Sequence, residues 1–146
     1  MKFAAVLFTM VWAGACAGRG AAPPAIVMDR SACSRCGMFI SERAYAAAIR
    51  WPDGHDQLFD EIGCLVEAVR QLPAAGAHYW FHDAGDGEWI AEGRPVFVVS
   101  PDFRTPMGGG IVAYRSLSAA ERAAGRQGGR IVQDFSQLLT LERSSR

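Results

Sequence analysis

The chain has 146 residues, half of them hydrophobic, and its 15 basic side chains balance 15 acidic ones. That length accommodates one compact domain or two very small lobes. A near-neutral chain without a basic run excludes nucleic acid as a partner on grounds of charge.

The N-terminus starts with one cation, Lys2, followed by the apolar run "FAAVLFTMVWAGA". This is the n-region and h-region of an export signal, too short for a permanent membrane span. Gly14 and Ala15 before Cys16 match a bacterial lipobox, although Ala13 stands where a larger aliphatic residue is usual. The reading adopted is a signal peptide over 1–15 and lipidation of Cys16. The alternative is ordinary cleavage at an A-x-A site formed by Ala15 and Ala17. Residues 16–27, small and Pro-containing, read as a flexible tether. The folded domain is expected over 28–142, with lobes at about 28–84 and 88–142.

Within the domain, "RAYAAAIRW" and "HDQLF" flank a Pro-Asp-Gly turn, and the pattern predicts paired strands over 44–51 and 55–59. Asp60 is expected to cap a helix through "EIGCLVEAVRQL", with Ile62, Leu65, Val66 and Val69 at helical spacing and Pro73 as the stop. "HYWFHD" is a short aromatic strand. After "AGDGE", the segments "RPVFVVS" and "IVAYRS" predict strands around the glycine-rich turn "TPMGGG". A short helix opened by Ser118 and closed by glycines follows, then a strand at "RIVQDF" and a polar tail, "SQLLTLERSSR". The fold class is α+β: two small related lobes, each in the order strand–strand–helix–strand. The turns "CGM" and "PMG" are the counterparts this order pairs, without residue-level identity to support a duplication.

With Cys16 lipidated, Cys33, Cys36 and Cys64 remain, an odd number for an oxidising compartment and a sign of a free thiol, an intermolecular bridge or a metal. A redox C-x-x-C belongs at a helix N-terminus after a buried strand, and "DRSACSRC" follows a tether instead. A zinc site could use the three cysteines with His55 or His82. A soft-metal site uses more of the sequence. Cys36 and Met38, one residue apart, fall on one side of an extended segment, and Gly37 lets the backbone bend near an ion. Thiolate and thioether together select Cu(I). Met107, beside three glycines, has little core to fill. Cys64 reads equally as a buried small hydrophobe or as a metal-facing thiol, and both histidines read as exposed polar residues, with His55 a reserve ligand.

The blocks "CSRCGMFIS", "AIRWPDGHDQLFDEIGCLVEAV", "WFHDAGDGEWIAEGRPVFVV", "TPMGGGIVAY" and "GRQGGRIVQDFSQL" resemble, in this order, the NosL family of exported copper-binding accessory lipoproteins of nitrous oxide reductase maturation. The resemblance spans Cys33 to Leu138. It implies a Cu(I) chaperone rather than an enzyme, acting as a monomer, lipid-anchored on the periplasmic face of a bacterial membrane. It would deliver copper to a NosDFY-type ABC assembly complex, and so to the copper–sulfur centre of nitrous oxide reductase. By matched position the implied ligands are Cys36, Met38 and Met107, and Cys33 and Cys64 also fit the motifs. A periplasmic thiol–disulfide protein or a zinc-stabilised structural lipoprotein, using Cys33, Cys36 and Cys64, is the competing reading.

Overall fold

The computed structural model describes residues 22–72, 75–90 and 95–141. The signal peptide, Cys16 and Pro73 lie outside the described residues. The last part of the stretch read as a tether lies against the domain: Pro24 is buried, and the Arg50 guanidinium donates to the Ala22 carbonyl.

The predicted hairpin forms from β1 (Ala47–Arg50) and β2 (Asp56–Phe59), which are antiparallel with Ala47 opposite Phe59 and Arg50 opposite Asp56. Its turn end is pinned by the Arg50 guanidinium, whose Nε and Nη2 meet the two Asp56 oxygens at 2.7 and 2.8 Å, a fork-on-fork pair. The first strand is shorter than 44–51 because a single 3-10 turn occupies Arg43–Tyr45. Helix α1 (Ile62–Gln71) buries Ile62, Leu65, Val66 and Val69, the stripe its periodicity predicts. Asp60 does not cap it. The N-cap is Glu61, and Asp60 turns into the interior, where burial pushes its carboxyl upward in pKa. Strand β3 (His78–Phe81) then pairs antiparallel with β1, giving the order β2-β1-β3.

The second lobe repeats this plan. Strands β4 (Val96–Val99) and β5 (Ile111–Tyr114), helix α2 (Leu117–Gln127) and strand β6 (Arg130–Val132) form an antiparallel sheet in the order β5-β4-β6. Helix α2 is capped by Ser116 rather than Ser118: Ser116 Oγ accepts from the Ala119 N–H at 3.3 Å. The helix ends at Gly128 in the left-handed conformation.

The end of the chain departs from the sequence expectation. The strand predicted at "RIVQDF" stops at Val132; its last residue and the start of the segment read as a polar tail form α3 (Phe135–Thr140), capped by Asp134. Phe135 inserts between the sheets, its ring centroid 4.7 Å from that of Tyr79, 5.4 Å from that of Phe81 and 6.1 Å from that of Phe97. Phe81 and Phe97, one from each sheet, meet edge to face at 5.0 Å. Arg70 of α1 donates to the carbonyls of Leu138, Leu139 and Leu141, placing a cation on the C-terminal end of α3, where the helix dipole favours it. The two sheets therefore share one continuous core, closed by α3.

Candidate metal centre

Cys33 and Cys36 sit on a tight knuckle ahead of β1. Ala32 and Phe39 bridge as an antiparallel pair; inside it the Cys33 N–H donates to the Met38 carbonyl at 2.8 Å and the Gly37 N–H to the Cys33 carbonyl at 2.9 Å. Gly37 adopts φ 78°, a conformation that costs a residue with a side chain. The knuckle is tied to its own sheet by the Ser34 N–H, which donates to the Leu58 carbonyl at 2.7 Å. Cys64, in the first turn of α1, completes the group. The three Sγ atoms all lie within 4.8 Å of one another, and all three cysteines are free thiols.

The three sulfurs are not equivalent. Cys33 is buried, and the Cys64 thiol donates to it; the backbone N–H groups of Asp60, Cys36 and Arg35 add to this. These donors outweigh desolvation and hold Cys33 as a thiolate, with its pKa lowered to about 4. The same hydrogen bond, with burial, drives the Cys64 thiol upward, so that it keeps its proton. Desolvation and the Cys33 thiolate raise Cys36 as well, although the Met38 N–H donates to its sulfur. Cys36 alone of the three is partly open to solvent. The site thus holds one thiolate behind a partly open thiol.

Met38 leaves the same knuckle with 51 % of its surface exposed, and Met107 is 45 % exposed on the loop between β4 and β5. Neither fills core. The Met107 loop is fastened to the foot of α1: the Met107 N–H donates to Glu61 Oε2 at 3.1 Å, and the Gly109 N–H reaches both Glu61 oxygens at 3.2 and 3.3 Å. Gly63 lies against Gly109 so closely that a Cβ on Gly63 would fall 3.2 Å from the Gly109 Cα. The loop of the second lobe therefore docks one residue from Cys64.

The histidines stand elsewhere. His55 is exposed and bonded to Asp53 at 2.6 Å. His82, expected on the surface, is buried: its Nδ1 is 2.9 Å from the Ala46 carbonyl and its ring stacks on Trp89 at 3.6 Å. Burial holds it neutral. Among the described residues, neither joins the three cysteines as a fourth zinc ligand.

Sequence reasoning also missed the counterpart of the cysteine knuckle, which is "DAGDGE" and not "PMG". His82 and Trp89 bridge, the Asp83 N–H donates to the Glu88 carbonyl and the Gly87 N–H to the Asp83 carbonyl, both at 2.8 Å. The Ala84 N–H ties this second knuckle to the Ala113 carbonyl of β5 at 2.8 Å. Cys33, Cys36, Gly37 and Met38 correspond to Asp83, Asp86, Gly87 and Glu88. In the second knuckle the buried Asp83 carboxylate accepts from the backbone of Gly85 and Arg115, and the Arg115 guanidinium bridges Asp83 and Asp86 at 3.2 and 3.0 Å. A built-in cation, the Arg115 guanidinium, spans the two carboxylates at the positions that carry thiols in the first knuckle. The matching glycines and the apolar residue pair Ile40 and Ile90 were the available signal.

Comparison with solved structures finds this architecture in the crystal structure of the copper chaperone NosL from Shewanella denitrificans, with a TM-score of 0.70 at 18 % identity. The match covers 84 % of this chain and 100 % of that one. No curated protein sequence matches. The NosL family model matches residues 24–139, both knuckles, the thiol cluster and the Met107 loop included, and the chain belongs to the NosL family.

Proposed function

We propose that this protein is an exported copper chaperone, not an enzyme: it carries Cu(I) as cargo and passes it on by ligand exchange. The observation that carries the reading is the gathering of three thiols within 4.8 Å at a surface knuckle whose neighbouring methionine is exposed. Thiolate and thioether donors suit a soft monovalent ion. Cys36, Met38 and Met107 are the primary ligands in this reading. Cys33 supplies a thiolate from behind, and Cys64 sustains it through its hydrogen bond. Exposure of both thioethers leaves a rim where an acceptor can attack, which a closed four-ligand site lacks. Membership of the family and the likeness to a structure described as a copper chaperone support the assignment. The recipient proposed is a NosDFY-type ABC complex serving nitrous oxide reductase, with the chain tethered through lipidated Cys16 on the periplasmic face.

Anaerobic titration of the reduced chain with Cu(I), against a chromophoric chelator, tests the reading. One ion per chain is expected, with binding weakened in Cys36→Ser and Met38→Ala and unchanged in His55→Ala. A chain that reduces substrate disulfides and ignores Cu(I) would instead be a thiol oxidoreductase.

A further inference from the structure

Glu61 occupies a position it is poorly suited to by local propensity. N-caps favour Ser, Thr, Asp and Asn, whose short side chains reach the free N–H groups of the first turn. At the two other α-helices among the described residues that rule holds, with Ser116 and Asp134 each accepting from its own helix. Glu61 makes no side-chain cap bond. Its carboxylate, on a residue only 2 % exposed, turns away from α1 and receives the Met107 and Gly109 N–H groups of the other lobe. Gly63 and Gly109 leave the room for this: a Cβ on either would lie 2.6 or 2.4 Å from Glu61 Oε1. A helix start has thus given up its own cap, and two neighbouring positions their side chains, to hold one loop. The turn itself is closed by the Gly108 N–H on the Thr105 carbonyl and the Gly110 N–H on Thr105 Oγ1, and the Glu61 carboxylate ties that turn to the foot of α1.

We infer that Glu61 is the positioning residue of the copper site, holding the Met107 thioether in register with the cysteine knuckle. The inference rests on the Cu(I) reading above. Glu61 is not itself a ligand: both its oxygens are engaged by backbone donors, and a carboxylate is too hard a donor to suit Cu(I). Its part is that of the partners that orient ligands, whose loss costs about 10–100-fold in metal affinity.

Two substitutions separate reach from charge. Glu61→Asp keeps the charge and is a good N-cap, so α1 stays formed, but the shorter side chain cannot bridge to the loop. Glu61→Gln loses the charge and keeps both the length and one accepting oxygen. The full chain, labelled with carbon-13 on the methionine methyl groups, is titrated anaerobically with Cu(I) alone. In the parent, the Met38 and Met107 methyl resonances shift together on binding. In Glu61→Asp the expected result is a shift at Met38 only, a thermal midpoint close to the parent's, and affinity lowered about tenfold, to the level of Met107→Ala. The double variant is then no weaker than either single one, because both remove the same contact. Glu61→Gln stays within about threefold of the parent. Parent-like affinity and a Met107 shift in Glu61→Asp overturn the inference, as do fully additive losses in the double variant. If Met107 does not respond in the parent while Cys36-dependent binding persists, the inference fails and the copper reading stands. If the parent binds no Cu(I), both fail.

Discussion

At the scale of single residues, the division of labour among the thiols sets how copper loading responds to pH. Cys33 is already a thiolate over the whole neutral range, because its pKa lies at about 4. Cys36 is raised by desolvation and by that thiolate, so it carries a proton that an incoming ion must displace. On the proposed ligation, Cu(I) and the proton compete for the Cys36 sulfur, and apparent affinity is expected to climb with pH until Cys36 itself ionises. Competition titrations between about pH 6 and 8, corrected for the chelator, should give about a tenfold gain per unit, one proton released per ion. A hundredfold gain per unit would show that the Cys64 proton leaves too and that Cys64 ligates. Met38 and Met107 have no proton to lose, so their alanine variants should lower affinity without changing the slope.

The elements show what sequence made legible. The α1 stripe, the hairpin around Pro52–Gly54 and the strand–strand–helix–strand order of both halves follow from local periodicity and turn chemistry, which is why they could be read directly. The cysteines could be flagged by type, but their convergence could not: it depends on a knuckle bonded to β2 and a helix start facing it, contacts distant in sequence. Helix α3 was missed because its apolar residues, Phe135, Leu138 and Leu139, sit in a short polar-flanked segment whose helicity comes from packing rather than propensity. Its role is testable. Leu138 is fully buried, and Leu138→Ala should cost about 2–5 kcal/mol in chemical denaturation, with copper stoichiometry kept in the folded fraction. The second knuckle was missed for a related reason: its resemblance to the first lies in hydrogen bonding, while its ligand positions have changed character from sulfur to carboxylate. There, Arg115→Ala strips the buried Asp83 of its charged donor, leaving only backbone N–H groups. A loss of about 1–3 kcal/mol of stability at neutral pH is expected, partly relieved at high salt, with still one Cu(I) per chain. A second Cu(I) bound by that variant would show that the carboxylate knuckle retains metal-binding capacity.

For the molecule as a whole, the question is how an ion held as proposed, between the two lobes, would be released. The proposed ligand set draws Met38 from the first lobe and Met107 from the second, so opening the lobes would free the ion. The shared core makes that costly. Phe81 and Phe97 are packed edge to face across the lobe boundary, Phe135 is set against both, and Arg70 pins α3 to α1. Parting the sheets exposes this aromatic cluster, about 150–250 Å² for each ring, at roughly 25 cal/mol per Å², a sum comparable with the stability of a small domain. Release by hinge opening would amount to partial unfolding. Exchange at the exposed rim demands only small movements of the knuckle and of the 105–110 loop, where the thioethers already face solvent. Amide hydrogen exchange on the apo and Cu(I)-loaded chain decides between the two. Protection of β1, β4 and α3 should be the same in both states, with the gain on loading confined to residues 33–38, the first turn of α1 and the 105–110 loop. Protection that rises throughout β1 and β4 on loading would mean that the lobes separate in the apo state, and that copper closes them.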